Sequence, residues 1–270
     1  MPQGLVVHIT FDDSRGLDTS GYGAHAKARP RAFGPGVIPA GHSAKFCGAD
    51  DYVQASAPAR RIRLPSHPLS ALPPGLISAA PSVQVRHHRA FNEAGSSFSM
   101  TLWAYLNADA TGNWRTLVHK GGTDSDRTPS IFLEPRTRGV EFFVSTTDKS
   151  DPSGERIWSN SFLPLHRWTH LAAVADGKSL RLYVNGLLDS ENVTKGAILH
   201  NTGPIYLGGD PWRAGQGFDG YLDEFKYYTR ALGTDEIQAE ASSALGGIEP
   251  SFVLLGCMGC SLERCARTLI

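Results

Sequence analysis

Residues Arg167 to Asp189 read RWTHLAAVADGKSLRLYVNGLLD, and no other stretch constrains the fold as tightly. Two apolar runs, Thr169 to Ala175 and Leu180 to Val184, are joined by Asp176-Gly177-Lys178. Asp-Gly between strand-like runs is a strong hairpin signal, because glycine takes a positive φ with no Cβ to clash. The second run alternates, with Leu180, Leu182 and Val184 on one side and Arg181 and Tyr183 on the other. Asn185-Gly186 makes a second tight turn before Leu187 and Leu188. The stretch predicts three antiparallel strands in a meander.

The order W-x-H-L-A, then D-G, then L-x-L-Y-V-N-G resembles the LamG-like jelly-roll family, the laminin-G and pentraxin relatives within the concanavalin A-like lectin/glucanase superfamily. Further stretches carry the resemblance in the same order. Leu5 to Phe11 reads as a first strand, followed by Asp12 and the turn Asp18-Thr19-Ser20-Gly21. His42 to Gln54, HSAKFCGADDYVQ, has the Phe-x-Gly and Asp-Asp-Tyr-Val elements, with Cys47 in a slot expected to be buried. Ser97 to Leu106 alternates cleanly, Trp103 being expected in the core. Ile205 to Asp210 and Phe218 to Tyr228 match the last two strands. The resemblance implies an all-β fold, a two-sheet antiparallel β-sandwich (jelly roll) of concanavalin A-like type over 5–241. Helix is confined to short pieces such as the C-terminal Asp235 to Ala241, with Thr234 as its N-cap. Trp168, opening the meander, is expected between the sheets.

Composition sets bounds on this reading. The chain of 270 residues has room for one large β domain, and 29 glycines with 17 prolines suit a turn-rich one. Lys plus Arg, 26, balance Asp plus Glu, 26, which argues against a nucleic-acid partner. No apolar run approaches the roughly 20 residues that span a bilayer. The N-terminus carries no basic and apolar leader pattern, so either the protein is cytosolic or the chain is a trimmed or incomplete piece. The resemblance favours a piece of a larger extracellular or cell-surface protein. Four cysteines, Cys47, Cys257, Cys260 and Cys265, allow three disulfide pairings that sequence alone leaves open. Zinc is the competing reading of Cys257-x-x-Cys260, against which stands the missing second ligand pair.

Two segments stand apart. Residues 57–92 shift to Pro, Ser, Ala, Leu and Arg with no Asp, and basic residues sit at both ends: Arg60, Arg61 and Arg63, then Arg86, His87, His88 and Arg89. This reads as an insertion between two strands, either a surface loop, non-coding sequence read through, or a basic arm for an anionic partner such as a sulfated glycan. Residues 248–270 read as the start of a truncated cysteine-containing segment.

The catalytic motifs of the superfamily are missing. Glycosidases on this fold carry Glu-x-Asp-x-(x)-Glu on one strand face, and retaining cleavage needs two carboxyl groups about 5 Å apart. The chain has no Glu-x-Asp, and Asp223-Glu224, adjacent in a strand, are expected on opposite faces. The expected function is therefore a non-catalytic recognition module for carbohydrate or extracellular protein ligands, bound through jelly-roll loops. A glycoside hydrolase or lyase, or a structural spacer domain, are the alternatives. Aromatic residues with polar neighbours suit sugar stacking, which makes Trp114 and Arg115 in one loop, and Trp212 and Arg213 in another, the candidate ligand contacts. The resemblance implies a structural Ca²⁺ held by Asp12, Asp18 and Asp223, an oxygen-rich set suited to a hard cation; the competing reading is that the first two cap turns. Asn192-Val193-Thr194 is the single N-glycosylation sequon, meaningful if the chain is secreted.

Overall fold

The computed structural model describes residues 2–12, 17–23, 26, 32–38, 41–47, 83–93, 95–148, 150, 154–212 and 217–243. Two antiparallel sheets pack face to face. The strands in chain order are β1 (Leu5–Ile9), β2 (Ala32–Pro35), β3 (His42–Cys47), β4 (Val83–Val85), β5 (Ser97–Leu106), β6 (Arg115–Lys120), β7 (Ser130–Leu133) and β8 (Gly139–Val144). They continue with β9 (Glu155–Phe162), β10 (Trp168–Asp176), β11 (Ser179–Val184), β12 (Leu187–Val193), β13 (Ile205–Leu207) and β14 (Asp219–Tyr228). Two short helices, α1 (Ala90–Glu93) and α2 (Thr234–Ser243), complete the described elements. One sheet has eight strands in the order β12-β11-β10-β5-β14-β3-β2, with β1 also paired to β14. The other has six, in the order β4-β13-β6-β7-β8-β9. Among the described residues no helix is long and apolar enough to cross a membrane.

The expected meander is β10-β11-β12. Gly177 and Gly186 both have positive φ, 86° and 81°, as the tight turns require. Asp176 Oδ1 accepts the N–H groups of Lys178 and Ser179 at 2.9 and 2.8 Å, holding the first turn with its own side chain.

The core lies between the sheets and takes alternate residues of each strand. Leu171, Ala173 and Ala175 of β10 face Leu102, Met100 and Phe98 of β5 across matched registers. This overturns the placement of Trp168: an odd-numbered core row in β10 sends Trp168 and His170 to the outer face, where Trp168 is half-buried. Trp103 is buried, yet it too lies on the outer face, with its ring 5.2 Å from that of His170. Cys47 is exposed, because Phe46 next to it takes the core side.

The C-terminal helix begins one residue earlier than its sequence suggests. Gly233 is the cap: its carbonyl accepts from Ile237 and its N–H donates to Glu236 at 3.0 Å, half of a capping box. Ile237 and Ala241 of α2 are buried, and Ile237 packs with Leu5, Ala172, Val174, Tyr183, Tyr228 and Leu232 on the outer face of the eight-stranded sheet.

The basic stretch also needs revising. Its residues 57–82 lie outside the described residues, but 83–92 belong to the domain. Val83 and Val85 are buried as the edge strand of the six-stranded sheet, and Ala90 and Phe91 pack into the core. Their short apolar spacing was hidden by the bases between them, Arg86 to Arg89. Residues 248–270, with Cys257, Cys260 and Cys265, lie outside the described residues.

Candidate functional site

Register alone assigns the outer face of the six-stranded sheet, because residues directly opposite each other share a face. One row runs Gln84, Tyr206, His119, Ser130, Phe143, Arg156 across all six strands. A second runs Thr116, Phe132, Glu141, Trp158 across four. The core-facing partners are Val118, Ile131, Phe142 and Ile157. An outer face with four aromatic side chains and a histidine is unusual for a surface that needs only to meet water.

Loop residues build on this floor. Trp212 lies over His119, ring centroids 5.0 Å apart, and beside Tyr206 at 5.4 Å. Trp114 meets Phe132 at 6.3 Å, and Phe132 meets His119 at 5.8 Å. The row Tyr206–Trp212–His119–Phe132–Trp114 is therefore continuous. Its members Tyr206, Trp212 and Trp114 are half-buried, while His119 and Phe132 are buried beneath them. Arg127 lies over Phe132 and Phe143, and Arg156 over Phe143 and the exposed Trp158. Each arginine also meets a carboxylate, Arg127 with Asp124 and Arg156 with Glu141, both at 3.5 Å.

Trp212 is held from below. Asp210, fully buried, accepts from Thr116 Oγ1 at 2.8 Å and from the Trp212 N–H at 3.2 Å, and its Oδ2 lies 3.2 Å from His119 Nδ1. His119 Nε2 is 2.8 Å from the Asp126 carbonyl, which can only accept, so this nitrogen carries the proton. Two strand residues and a buried carboxylate thus orient one loop tryptophan.

Of the four expected ligand contacts, Trp114 and Trp212 are brought onto one face. Arg115 is not a ligand contact: it is buried, and its guanidinium donates to the carbonyls of Ala108, Asp109, Glu134 and Thr137. Position in the first residue of β6 turns it inward, where it ties two loops together at the sandwich end. Arg213 lies outside the described residues. Sequence reading missed Tyr206, His119 and Phe132. The alternation of β6, β7 and β13 carried the signal, but only pairing shows that these three share a face.

The proposed metal ligands are partly assembled. Asp12 and Asp223 clasp the turn between β2 and β3: Asp12 Oδ1 accepts the His42 N–H and Asp223 Oδ2 the Val37 N–H, each at 2.9 Å. Glycine is required there, since a Cβ on Gly41 would lie 2.5 Å from Asp12 Oδ1 and one on Gly36 would lie 3.1 Å from Asp223 Oδ2. Burial above all, with Glu224 and Asp12 nearby, pushes the Asp223 carboxyl up to about 8. Asp18 serves a different end. Its carboxylate accepts from the His8 and Ser20 N–H groups and from Ser20 Oγ, so its side chain caps a turn. Among the described residues no three His, Cys, Asp or Glu side chains converge on a metal position. The expectation that Asp223 and Glu224 face apart is also corrected. A bulge in β14, with Glu224 at a φ of 49°, shifts the register, and Glu224 meets Lys226 and His8 at 3.9 and 2.7 Å.

Asn192 is exposed in β12, the edge strand of the eight-stranded sheet.

Comparison with known proteins follows this geometry. Domain 4 of AbnA, a GH43 extracellular arabinanase from Geobacillus stearothermophilus solved in complex with arabinotriose, superposes with a TM-score of 0.58 at 17% identity, covering 88% of this chain and 98% of that one. The binding domain of botulinum neurotoxin DC in complex with SialylT superposes with a TM-score of 0.63 at 14% identity, covering 89% and 51%. The binding domain of Paraclostridial Mosquitocidal Protein 1 gives 0.61 at 15%, covering 90% and 53%. The chain spans about half the length of those two toxin domains. A search of curated protein sequences finds no match. Residues 78–238 match the Laminin_G_3 family. The match begins close to the β4 strand and ends in α2, and with the two-sheet architecture it makes this chain a member of the concanavalin A-like lectin/glucanases superfamily.

Proposed function

We propose that this domain is a non-catalytic recognition module that binds carbohydrate on the outer face of its six-stranded sheet. One observation carries the reading: Trp114 and Trp212, from loops far apart in sequence, are joined through Phe132 and His119 into one aromatic row. Half-buried rings with polar neighbours match the apolar face and hydroxyl rim of a sugar, and the buried Asp210 contacts orient Trp212 before any ligand arrives. The similar AbnA domain was solved with arabinotriose and the similar neurotoxin domain with SialylT, which supports a glycan ligand. A related neurotoxin DC domain was solved with rat synaptotagmin II, so a protein ligand is the second reading. Secretion fits this role and gives the Asn192 sequon its meaning.

The glycosidase alternative finds little support in the face itself. Among the described residues, the sheet neighbours of Glu141 are Phe132 and Trp158 across the strands and Gly139 and Phe143 along its own, and none of these four is a carboxylate. Calcium remains part of the proposal. Asp12 and Asp223 fit a hard cation, since both offer side-chain oxygens at one turn and a divalent ion would favour the ionised form that burial disfavours in Asp223. The remaining ligands would be backbone carbonyls or water.

A glycan array probed with wild type and with the Trp114→Ala/Trp212→Ala variant tests the reading. Binding that falls at least tenfold, about 1.4 kcal/mol, in the variant is expected. No binding to any glycan leaves the spacer role, and sugar release from a polysaccharide panel would make the chain an enzyme.

A further inference from the structure

The outer face of the eight-stranded sheet is divided in two. α2 covers the part formed by Ala172, Val174, Tyr183 and Tyr228. Beyond it the register places Trp168, Tyr105, Tyr221 and Lys45 directly opposite one another on β10, β5, β14 and β3. The Tyr105 ring centroid is 5.6 Å from that of Trp168 and 5.5 Å from that of Tyr221, and Lys45 Nζ is 5.9 Å from the Tyr221 centroid. All three rings are half-buried. Tyr221 rests on bare backbone, since a Cβ on Gly34 would lie 2.2 Å from its ring. Tyr221 is therefore seated on the sheet, and Tyr105 and Trp168 follow beside it.

The rim of this shelf carries both donors and acceptors. Asn107 Nδ2 donates to Asp219 Oδ1 at 3.1 Å, two residues along β14 from Tyr221. His166 lies beside Tyr105 with ring centroids 6.3 Å apart, and Arg167 is exposed. Among the described residues, the Tyr105 and Tyr221 hydroxyls and the Trp168 indole N–H have no protein hydrogen-bond partner. Lys45 and Arg167 stand against Asp219, so the rim has no single sign of charge. An anionic polymer would select a uniformly basic rim, and a stable protein interface needs about 800 Å² per partner, more than three rings offer. A neutral sugar chain fits both: each pyranose or furanose presents a C–H face to a ring, and each hydroxyl both donates and accepts.

We propose that Trp168, Tyr105 and Tyr221 form a second binding shelf for neutral glycans, on the side of the sandwich opposite the Trp114–Trp212 face. It shares the ligand class of the proposed function and none of its residues. A module with a glycan site on each face joins two sugar chains, and so gains avidity on a polysaccharide that neither site has alone.

The test uses the full chain and a panel of neutral tri- to pentasaccharides, read by titration calorimetry and by the indole N–H resonances. The Trp114→Ala/Trp212→Ala variant is expected to lose the tighter site and keep a weaker one, at half the wild-type stoichiometry, with the Trp168 indole N–H shifting on titration. Trp168→Ala/Tyr221→Ala is expected to halve the wild-type stoichiometry, and either variant is expected to lose the ability to cross-link a soluble polysaccharide. Loss of all binding in Trp114→Ala/Trp212→Ala, with no change in Trp168→Ala/Tyr221→Ala, overturns the shelf and leaves the first face standing. The reverse pattern upholds the shelf and overturns the first face. If the shelf variant does not fold, the Trp168 resonance in the other variant decides: no shift at saturating sugar overturns the shelf. A shelf variant that instead abolishes a dimer in sedimentation, with sugar binding intact, assigns the rings to self-association and also overturns it.

Discussion

His119 Nδ1 lies 3.2 Å from Asp210 Oδ2, with both side chains fully buried, and this contact ties β6 to the turn that carries Trp212. Asp210 also accepts from Thr116 Oγ1 and from the Trp212 backbone N–H, so two donors depend on one carboxylate. Asp210→Ala leaves them unpaired in a dry site. The expected cost is about 2–5 kcal/mol, since each buried donor left unpaired costs about 1–3 kcal/mol. Denaturant unfolding of the variant measures it, and a change under 1 kcal/mol would show the contact to be incidental.

Arg115 should behave as a structural clamp. Four carbonyls share its guanidinium, and Arg115→Ala would leave all of them without that donor. Destabilisation of at least about 3 kcal/mol is expected. Arg115→Lys should recover little of it, because one ammonium cannot span the four acceptors. Sugar affinity of the folded fraction should not change; a selective loss of affinity with normal stability would return Arg115 to the ligand contacts.

Acid stability should depend on His170. Burial holds its pKa down to about 4, against an ordinary value near 6.5, so the imidazole is neutral in the folded chain. Below pH 6.5 the unfolded chain binds a proton that the folded chain does not. The group's contribution is thus complete above pH 6.5 and is lost progressively as pH falls towards 4. At pH 5 the loss is about 2 kcal/mol. His170→Phe should flatten this part of the profile; equal losses between pH 7.5 and pH 5 in variant and wild type would argue against it.

Two tryptophans on the same sheet should differ in cost. Trp103 is buried against His170, whereas Trp168 is only half-buried. Trp103→Ala is expected to cost about 3–5 kcal/mol and Trp168→Ala about 1–2 kcal/mol. Melting temperatures of the two variants, side by side, decide the order.

Calcium, if bound between Asp12 and Asp223, stabilises the folded chain by mass action, about 2.7 kcal/mol at a hundredfold excess over its dissociation constant. A higher melting temperature in millimolar Ca²⁺ than in EDTA is expected for wild type and not for Asp223→Ala. No shift in wild type, or an equal shift in the variant, removes the ion from this site.

Strands and turns were legible in the sequence because they depend on neighbours. The period of two in Ser97 to Leu106 and the glycines at 177 and 186 act within a few residues, so the meander could be read directly, while the sandwich came from the family resemblance. The family resemblance implied that the chain's two ends meet, and Asp12 and Asp223 accept N–H groups of one turn, between β2 and β3. Periodicity separates two faces of a strand but does not say which one meets the other sheet. That is why Trp168 was expected inside and is found outside, and why Arg115, adjacent to Trp114, turns inward. The row that joins Trp114 to Trp212 passes through Phe132 and His119, residues that become neighbours only when β6, β7 and β13 pair. Register decides such neighbours, and register is set by the packing of the whole sandwich.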